Sequence, residues 1–310
     1  MKKISILFIF FLTCTSPYFP KGKPEELVIF SEGLLKMKDF IETEIQDTFY
    51  TPRPEPIYDI IFAKVSEFEK YKGYYTILIL ATPSSASYEI FKDIFPEAQK
   101  RGVYEKRKIF QKEDYIVGIL GPDEDYILSE LKEVLNRLTL RIKELYKKHV
   151  YNIIDVNNSI KREIKKEYGF EIDIPTGFLY IKKSKDFISL GAHYPDRFIF
   201  FYISEKVLEL DPERLMDLRD SLTEIYYDGD KIDRELTKWK RIKIFDEEGM
   251  EIYGHWENEK MKIGGAFKSL IFKKKDRYYF IDMGVFEPEK PKLKYIRWLE
   301  AIVSTMKWSY

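Results

Sequence analysis

The chain contains very little cysteine and histidine. Its 310 residues include one cysteine, Cys14, and three histidines, His149, His193 and His255, which lie far apart. A single cysteine cannot form a disulfide within the chain, and the region beyond it has no thiol for nucleophilic catalysis. No two histidines have the spacing of a zinc-binding motif. The sequence therefore predicts no catalytic residue of these types, no metal site and no cofactor.

The sequence also lacks an excess of charge of either sign. Lys plus Arg and Asp plus Glu each number 52, and the two signs alternate along the chain. Phosphate backbones bind concentrated basic surfaces, so this balance argues against nucleic acid as a partner. Neither a Gly-x-Ser-x-Gly motif nor a phosphate-binding loop is present. The acidic stretch from Asp228 to Glu235 lacks the full spacing of a calcium loop and indicates a solvated turn.

The sequence also lacks long apolar runs. The first apolar run, at the N-terminus, is short. Met1-Lys2-Lys3 is followed by nine apolar or small residues, Ile4 to Leu12. A membrane-spanning helix needs about twenty apolar residues, whereas a basic start and a short apolar run are typical of an export signal. We expect residues 1–14 to be a signal peptide that ends at a candidate lipobox cysteine, and residues 15–24 to be a tether.

Cys14 allows two interpretations. In the first, Cys14 becomes the lipidated N-terminus of a lipoprotein, so that a lipid anchors the exported protein to a membrane of the cell envelope. Thr13 stands where such a cleavage site normally has Gly, Ala or Ser. In the second, the leader is an ordinary signal peptide cleaved near Ser16, and the product is a secreted soluble protein.

The hydrophobic pattern of the first half alternates between strands and helices. Leu27–Phe30, Ile57–Val65 and Tyr74–Ala81 are apolar runs typical of strands, and Gly102–Gln111 with Tyr115–Leu120 predicts a hairpin. A long helix follows, because apolar residues from Ile127 to Leu145 recur at three- and four-residue spacing with charged residues between them. Asp123 or Asp125 can cap its start.

The second half continues with strands and two further helices. Asp211-Pro212-Glu213 begins one helix, and Lys292 to Lys307 forms the last. Strands and helices follow no regular parallel repeat, so the predicted class is α+β, with lobes at 25–150 and 151–310. The strand, glycine, proline and helix pattern at Asp114–Leu138 recurs at Tyr278–Met306. A diverged internal duplication and a chance similarity of a common motif both explain this recurrence.

Several short motifs follow one another in a recognisable order. They are Glu55-Pro56, Ile174 to Phe178, Arg219-Asp220-Ser221, Gly254-His255-Trp256, Met261 to Phe267, Asp282 to Phe286, and Leu299-Glu300-Ala301. In this order they resemble a family of envelope lipoproteins known as domain of unknown function 4837 (DUF4837). The resemblance covers nearly the whole mature chain. It implies a lipid-anchored envelope protein with no assigned reaction, and it supplies no catalytic residues.

These motifs supply the candidate ligand-binding residues, which are Arg219, Asp220, Tyr253, His255, Trp256, Gly264 and Gly265. Arg219 could hold an anionic or sugar-like ligand in a cleft lined by Tyr253 and Trp256, or it could form a buried ion pair beside a core Trp256. Gly264 and Gly265 could present backbone N–H groups to an anion, or they could form a tight turn or bulge between strands.

The sequence thus predicts a lipid-anchored envelope protein of unknown specific role. We expect a non-enzymatic module that binds an envelope protein or a small ligand, attached to the membrane through Cys14. The alternative is an envelope hydrolase whose acidic residues, such as Asp282 or Glu287, come together only in the folded chain.

Overall fold

The computed structural model describes residues 20–45, 48–49, 53–153 and 155–308. The chain divides into two compact units. Unit 1 comprises the described residues up to Thr43 together with Tyr58–Val134, and unit 2 comprises Glu44–Ile57 and Leu135–Tyr310. Each unit is therefore discontinuous in sequence.

The elements up to residue 153 alternate between short strands and helices. A π-helical turn, Ile41–Ile45, follows the first helix, and a 3-10 turn, Val65–Glu67, precedes the second. In chain order the elements are β1 Glu26–Phe30, α1 Met37–Phe40, β2 Thr48–Phe49, β3 Glu55–Pro56, β4 Asp59–Ala63, α2 Phe68–Tyr71, β5 Thr76–Ala81, α3 Tyr88–Ile94, β6 Gly102–Arg107, β7 Tyr115–Leu120 and α4 Glu124–Ile153.

Unit 1 is built on a five-stranded, mostly parallel sheet with the order β4-β1-β5-β7-β6. Strand β1 runs parallel to both β4 and β5, and β5 runs parallel to β7. The predicted strands around β4 and β5 do share a sheet, but β1 lies between them. Every residue of β5 and β7 is buried, which explains their unbroken apolar sequences.

The predicted hairpin and long helix that end unit 1 are confirmed. Strands β6 and β7 pair antiparallel, from Gly102 opposite Leu120 to Arg107 opposite Tyr115. Helix α4 begins after Asp123, whose Oδ1 accepts a hydrogen bond from the Tyr126 N–H at 2.9 Å. The apolar stripe that predicted the helix is buried at Ile127, Leu131, Val134, Leu138, Ile142 and Leu145.

The remaining elements of unit 2 form a larger sheet and its helices. They are α5 Asn158–Tyr168, β8 Phe170–Glu171, β9 Leu179–Lys183, β10 Phe187–Ala192, β11 Asp196–Ser204, α6 Pro212–Tyr226, β12 Lys231–Ile232, β13 Lys238–Ile244, β14 Glu247–Asn258, β15 Ile263–Lys274, β16 Arg277–Phe286, α7 Leu293–Val303 and β17 Lys307–Trp308. As the sequence Asp211-Pro212-Glu213 predicts, Asp211 is the N-cap of α6. Its side chain accepts a hydrogen bond from the Arg214 N–H.

The sheet of unit 2 is antiparallel and has eight strands. Its order is β12-β14-β15-β16-β11-β10-β9, and β13 also pairs with β14. All of these pairings are antiparallel. One face packs on α6 through Leu215, Met216 and Leu222. The other face packs on α5 and α7. We call them the α6 face and the α7 face.

Helix α7 is capped by a residue that is distant in sequence. The carboxylate of Glu55, in β3, accepts hydrogen bonds from the backbone N–H groups of Lys292 and Leu293 at 2.7–2.8 Å. Lys292 itself makes no side-chain cap. A carboxylate at this position satisfies otherwise unpaired N–H groups and interacts favourably with the helix dipole. Segment 44–57 thereby becomes part of unit 2.

Three charged side chains meet inside the α7 face, and we call them the Lys268 cluster. The ammonium of Lys268 lies 3.1 Å from Glu251 and 2.7 Å from Glu300. Burial acts to raise the pKa of Glu251, but the attraction of Lys268, Lys143 and Lys240 outweighs it and lowers that pKa to about 2. The pKa of Glu300 is lowered in the same way, against burial, by Lys268 and Lys143.

The predicted α+β class is confirmed, because helices and several sheets occur together in the described residues. The unit boundary at 134 and 135 lies inside α4, whereas the predicted lobes meet at 150 and 151. The two sheets also differ, one mostly parallel and one antiparallel. The recurring strand and helix pattern therefore does not extend to the neighbouring strands, and the duplication stays a prediction.

Candidate functional site

Arg219 is enclosed in the interior of unit 2. Its side chain is 0% exposed, and its Nε and Nη2 donate to the two carboxylate oxygens of Asp282 at 3.0 and 3.2 Å. Ser269 donates to the same carboxylate at 2.5 Å, and the guanidinium lies 4.2 Å from the ring centre of Phe267. The arrangement is the predicted buried ion pair and not the predicted ligand contact, and it joins α6 to the sheet within one unit.

Asp220, the next residue on α6, has a different role. Its Oδ1 accepts a hydrogen bond from the Ile232 N–H at 2.8 Å, and its Oδ2 lies 3.0 Å from Arg234 Nη2. Both partners belong to the segment around β12. Asp220 therefore fixes that segment to α6.

The predicted cleft between Tyr253 and Trp256 is wrong. Side chains along a strand alternate between faces, and these residues of β14 are three positions apart. Tyr253 packs on the α7 face, where its ring stacks on Phe49, whereas Trp256 packs on the α6 face beside Phe198. Arg219 and Trp256 share the α6 face, but the sheet separates both from Tyr253.

A cavity of about 560 Å³ lies at the α6 face, under the edge strand β9. Its walls include the aromatic side chains of Tyr226, Tyr227 and Trp256. Tyr226 stacks on Phe187 with ring centres 3.7 Å apart, and the Trp256 indole donates to the Ala266 carbonyl at 3.2 Å. These contacts with core residues hold the Tyr226 and Trp256 rings in place, so the wall of the cavity is well defined. We call it the β9 cavity.

The polar residues that border the β9 cavity are held in place by their neighbours. Asp230 accepts a hydrogen bond from Asn258 Nδ2 at 2.8 Å, and burial raises the pKa of its carboxyl. The Arg197 guanidinium lies over the Trp298 ring at 4.7 Å, on the α7 face, so it does not point into the cavity, and burial lowers its pKa. Burial also raises the pKa of Tyr227, further above the neutral range in which a phenol is already protonated. In this cavity the Tyr227 hydroxyl can therefore donate a hydrogen bond to a ligand, and the Asp230 carboxyl can accept one.

The rim of this cavity is apolar and open to solvent. The side chains of Leu179, Met261 and Ile181 are 68%, 50% and 45% exposed. Exposed apolar side chains around a cavity are more informative than single exposed ones. The exposed apolar side chains of this rim indicate a surface on which an apolar ligand can bind.

His255 lies on the opposite face of β14 from Trp256, beside two acidic residues. Its Nδ1 is 3.8 Å from Asp233 Oδ2 and 3.5 Å from Glu257 Oε1. Burial lowers the pKa of the imidazole, and the carboxylates of Glu257 and Asp233 oppose that effect. His255 and Glu257 line a second cavity, of about 590 Å³.

Gly264 and Gly265 lie inside strand β15, so the predicted turn or bulge between strands is wrong. Gly264 pairs with Glu257, and Gly265 pairs with Trp256. A Cβ at position 264 would lie 2.8 Å from His255 Nε2, and one at 265 would lie 2.9 Å from the Trp256 ring. The two glycines therefore make room for the two large side chains of the neighbouring strand.

The structure does not bring together the acids named for a hydrolase. Asp282 is buried and bound to Arg219 and Ser269, so its oxygens face protein groups. Glu287 follows β16 five residues later, which along an extended strand is roughly 16 Å away. Sequence reasoning instead missed Asp230, Asp233 and Glu257 as partners. The signal available was the spacing of His255 and Glu257, which places both on one face of a strand.

The predicted signal peptide with its lipidation residue, Cys14, and residues 15–19 of the predicted tether lie outside the described residues. Within the part that is described, none of the helices combines the length and the apolar composition needed to cross a membrane.

Comparisons with solved structures find weak similarity to several proteins, among them the following three. A protein of Bacteroides thetaiotaomicron has 9% identity and a TM-score of 0.29, covering 46% of each chain. The cyanobacterial PsbP protein CyanoP of Synechocystis has 8% identity and a TM-score of 0.32, covering 46% of this chain and 87% of its own. LpqN of Mycobacterium tuberculosis, described as involved in cell envelope biogenesis, has 9% identity and a TM-score of 0.29, with 46% and 83% covered.

The family comparison is more specific. A search of the curated proteins finds no match. Residues 157–305, from the N-cap of α5 to just beyond α7, match the model described as domain of unknown function (DUF4837). That is the family the sequence motifs resemble, and its model matches residues 157–305 of this chain.

Proposed function

We propose that this protein is an exported, lipid-anchored protein of the cell envelope whose unit 2 binds a small ligand in the β9 cavity. The envelope location rests on the leader and on Cys14 in the sequence. The binding role rests on one observation, namely a cavity with an aromatic wall, fixed polar groups and an apolar exposed rim. Its volume of about 560 Å³ falls in the range typical of small-molecule sites.

The lining defines the chemistry of the proposed ligand. Tyr226, Tyr227 and Trp256 favour a flat apolar body, since aromatic rings bury large contact areas. Asp230 supplies one acceptor and the Tyr227 hydroxyl supplies one donor, so the ligand needs few polar groups. A small amphiphilic molecule fits this description better than a peptide, because the fixed polar groups lie at the wall of a cavity.

Binding can be measured with N-phenyl-1-naphthylamine, an uncharged apolar dye whose fluorescence rises when it leaves water. We expect saturable binding of one dye molecule per protein. The variants Leu179→Glu and Met261→Glu place a charge on the rim and should abolish most of the signal, because a buried charge next to an apolar ligand is costly.

Val207→Glu is the matched control, since Val207 is also an exposed apolar residue, at 72%, and does not line the cavity. It should leave dye binding unchanged. If the rim variants and the control behave alike, or if the dye does not bind, the cavity is not a ligand site and the proposed function is wrong in its binding part.

The anchor is tested separately by metabolic labelling with a radioactive fatty acid. The intact chain should incorporate the label and sediment with membranes, and Cys14→Ala should do neither. A Cys14→Ala protein that still carries the label would exclude lipidation at this residue. An unlabelled intact protein in the soluble exported fraction would instead support the secreted alternative.

A further inference from the structure

Three side chains capable of binding a metal converge on the α7 side of β14, away from the β9 cavity. They are Asp233, just after β12, and His255 and Glu257, both on β14. One donor atom from each lies within 4.8 Å of the others. The set combines one nitrogen and two oxygens, which suits divalent ions such as zinc and manganese.

His255 is the unusual member of this group. It is only 6% exposed, and neither ring nitrogen forms a hydrogen bond with any residue that the structure describes. Buried polar groups almost always have a partner, so an imidazole with two unsatisfied nitrogens needs an explanation. An ion bound at Nδ1, where both carboxylates are nearest, would satisfy one of them.

The distances fit coordination better than they fit direct hydrogen bonds. Nδ1 lies 3.8 Å from Asp233 Oδ2 and 3.5 Å from Glu257 Oε1. Two ligand atoms that each lie about 2.0–2.2 Å from a tetrahedral zinc ion are about 3.3–3.6 Å apart. Small side-chain rotations would therefore place an ion between these atoms.

The backbone holds the Asp233 ligand in position. The Asp233 N–H donates to the His255 carbonyl at 3.0 Å, which ties the two residues together. Asp233 Oδ1 accepts hydrogen bonds from the Glu235 and Leu236 N–H groups at 3.0 and 3.2 Å. These bonds leave Oδ2 as the oxygen that faces His255.

Gly264, on the neighbouring strand β15, leaves space for the imidazole of His255. It is the neighbour of Glu257 on β15, and a Cβ there would lie 2.8 Å from His255 Nε2. The absence of a side chain leaves room for Nε2 beside β15, and Nδ1 lies nearest the two acids. Gly264 is thus a positioning residue and not a ligand.

We propose that Asp233, His255 and Glu257 bind one divalent transition-metal ion, with zinc as the best match. The remaining coordination position faces the cavity of about 590 Å³, where water or an anion can occupy it. Lys292, Lys262 and Arg53 border the same cavity. Their positive charges oppose a bare cation and favour an ion that also carries an anionic ligand.

The test is a calorimetric titration of the chelator-treated, full-length protein with Zn²⁺, and with Mn²⁺ and Mg²⁺ for comparison. We expect one Zn²⁺ per chain, with Mg²⁺ binding much more weakly. His255→Gln, Asp233→Asn and Glu257→Gln should each weaken Zn²⁺ binding by more than the roughly 10–100-fold that loss of an outer-shell partner costs. Gly264→Ala should weaken it by roughly tenfold.

Two features keep the result interpretable. Asn at 233 retains the oxygen that accepts from Glu235 and Leu236, and the Glu257 side chain is mainly exposed, so these variants should fold normally. His193→Gln is the control, because His193 also contacts an acid, Asp196 at 2.7 Å, but lies exposed at the surface. It should leave Zn²⁺ affinity unchanged.

Replacing Zn²⁺ by Co²⁺ gives an independent readout. The bound ion should show visible absorption bands typical of four ligands, and Glu257→Gln should alter them. The proposal is overturned if the intact protein binds no Zn²⁺, or if Zn²⁺ binds but the variants at 233, 255 and 257 bind it as tightly as the His193→Gln control. Dye binding in the β9 cavity is measured separately and does not depend on this outcome.

Discussion

The two faces of the antiparallel sheet both bury charge, but they do so in different ways. On the α6 face, Arg219 and Asp282 form a one-to-one pair with two hydrogen bonds, and Ser269 completes it. On the α7 face, the single ammonium of Lys268 serves two carboxylates. Lys268 and Ser269 are consecutive on β15, so one strand contributes to both groups.

The difference is one of charge balance and access. The pair on the α6 face is neutral as a whole, and both side chains are 0% exposed. The Lys268 cluster has an extra negative charge, which Lys143 and Lys240 offset from 3.5 and 3.0 Å at the periphery. We infer that the first pair fixes α6 to the sheet with no alternative partner available, whereas the second can redistribute its contacts.

The strongest way to test this comparison is to remove Arg219. Arg219→Met leaves the Asp282 carboxylate buried without its partner, and we expect the free energy of unfolding of unit 2 to fall by about 3–5 kcal/mol. Urea denaturation followed by tryptophan fluorescence measures this, because all four tryptophans lie in unit 2.

The double variant Arg219→Met, Asp282→Leu is the control. Replacing both charges by apolar side chains removes the unpaired carboxylate, so most of the lost stability should return. If the double variant is as unstable as the single one, the pair contributes through shape and packing and not through charge.

A smaller effect is expected on the α7 face. Lys268→Met should cost about 2–3 kcal/mol, below the loss usual for a broken buried pair, because Lys143 and Lys240 still attract the two carboxylates. The same urea measurement applies. A loss equal to that of Arg219→Met would show that the peripheral lysines do not compensate.

Lys240→Met provides the matched comparison for this face. Its ammonium contacts Glu251 but is 53% exposed, so its loss should cost less than about 1 kcal/mol. The combination Lys240→Met, Lys268→Met should then cost more than the sum of the two single changes, because Glu251 loses both contacts.

The smallest of the three effects concerns acid. Glu251 has a folded pKa of about 2 against its ordinary value of 4.5, so its contribution is complete above pH 4.5 and is lost as the pH falls through 2. At pH 4 the protonation of the unfolded chain already removes about 1 kcal/mol. The measurement is the free energy of unfolding at pH 7, 5 and 4.

Other acids also titrate over this range, so the informative quantity is the difference between the intact chain and Lys268→Met. Without Lys268, burial acts on Glu251 and Glu300 with less opposition, and the loss between pH 7 and 4 should shrink. Equal acid sensitivity in both proteins would mean that the Lys268 cluster does not set the pKa of these carboxyls.

The sequence predicted the elements of the fold better than their arrangement. Apolar runs identified β1, β5 and β7, and a regular stripe identified α4, because burial on one or two faces leaves a direct pattern. Strand direction leaves no such pattern, so the placement of β1 between β4 and β5 could not be read from Leu27–Phe30. The long helix also hid the unit boundary, since its stripe continues across residues 134 and 135.

The candidate site shows the same limit at the level of side chains. His255 and Trp256 were singled out together, although adjacent residues of a strand face opposite ways and serve two different cavities. Asp233 belonged to an acidic stretch expected to be solvated, and only the pairing of β12 with β14 brings it to His255. The sequence predicts a turn or bulge at Gly264 and Gly265, because it does not reveal that both residues pair with β14.

The cap that Glu55 places on α7 has a consequence for where this protein can be divided. The DUF4837 match begins at residue 157, about a hundred positions after the carboxylate that completes its last helix. The stretch recognised by sequence similarity is therefore shorter than the piece of chain that folds together. A fragment cut at the limits of the match would carry the whole antiparallel sheet and yet leave the start of α7 with unpaired N–H groups.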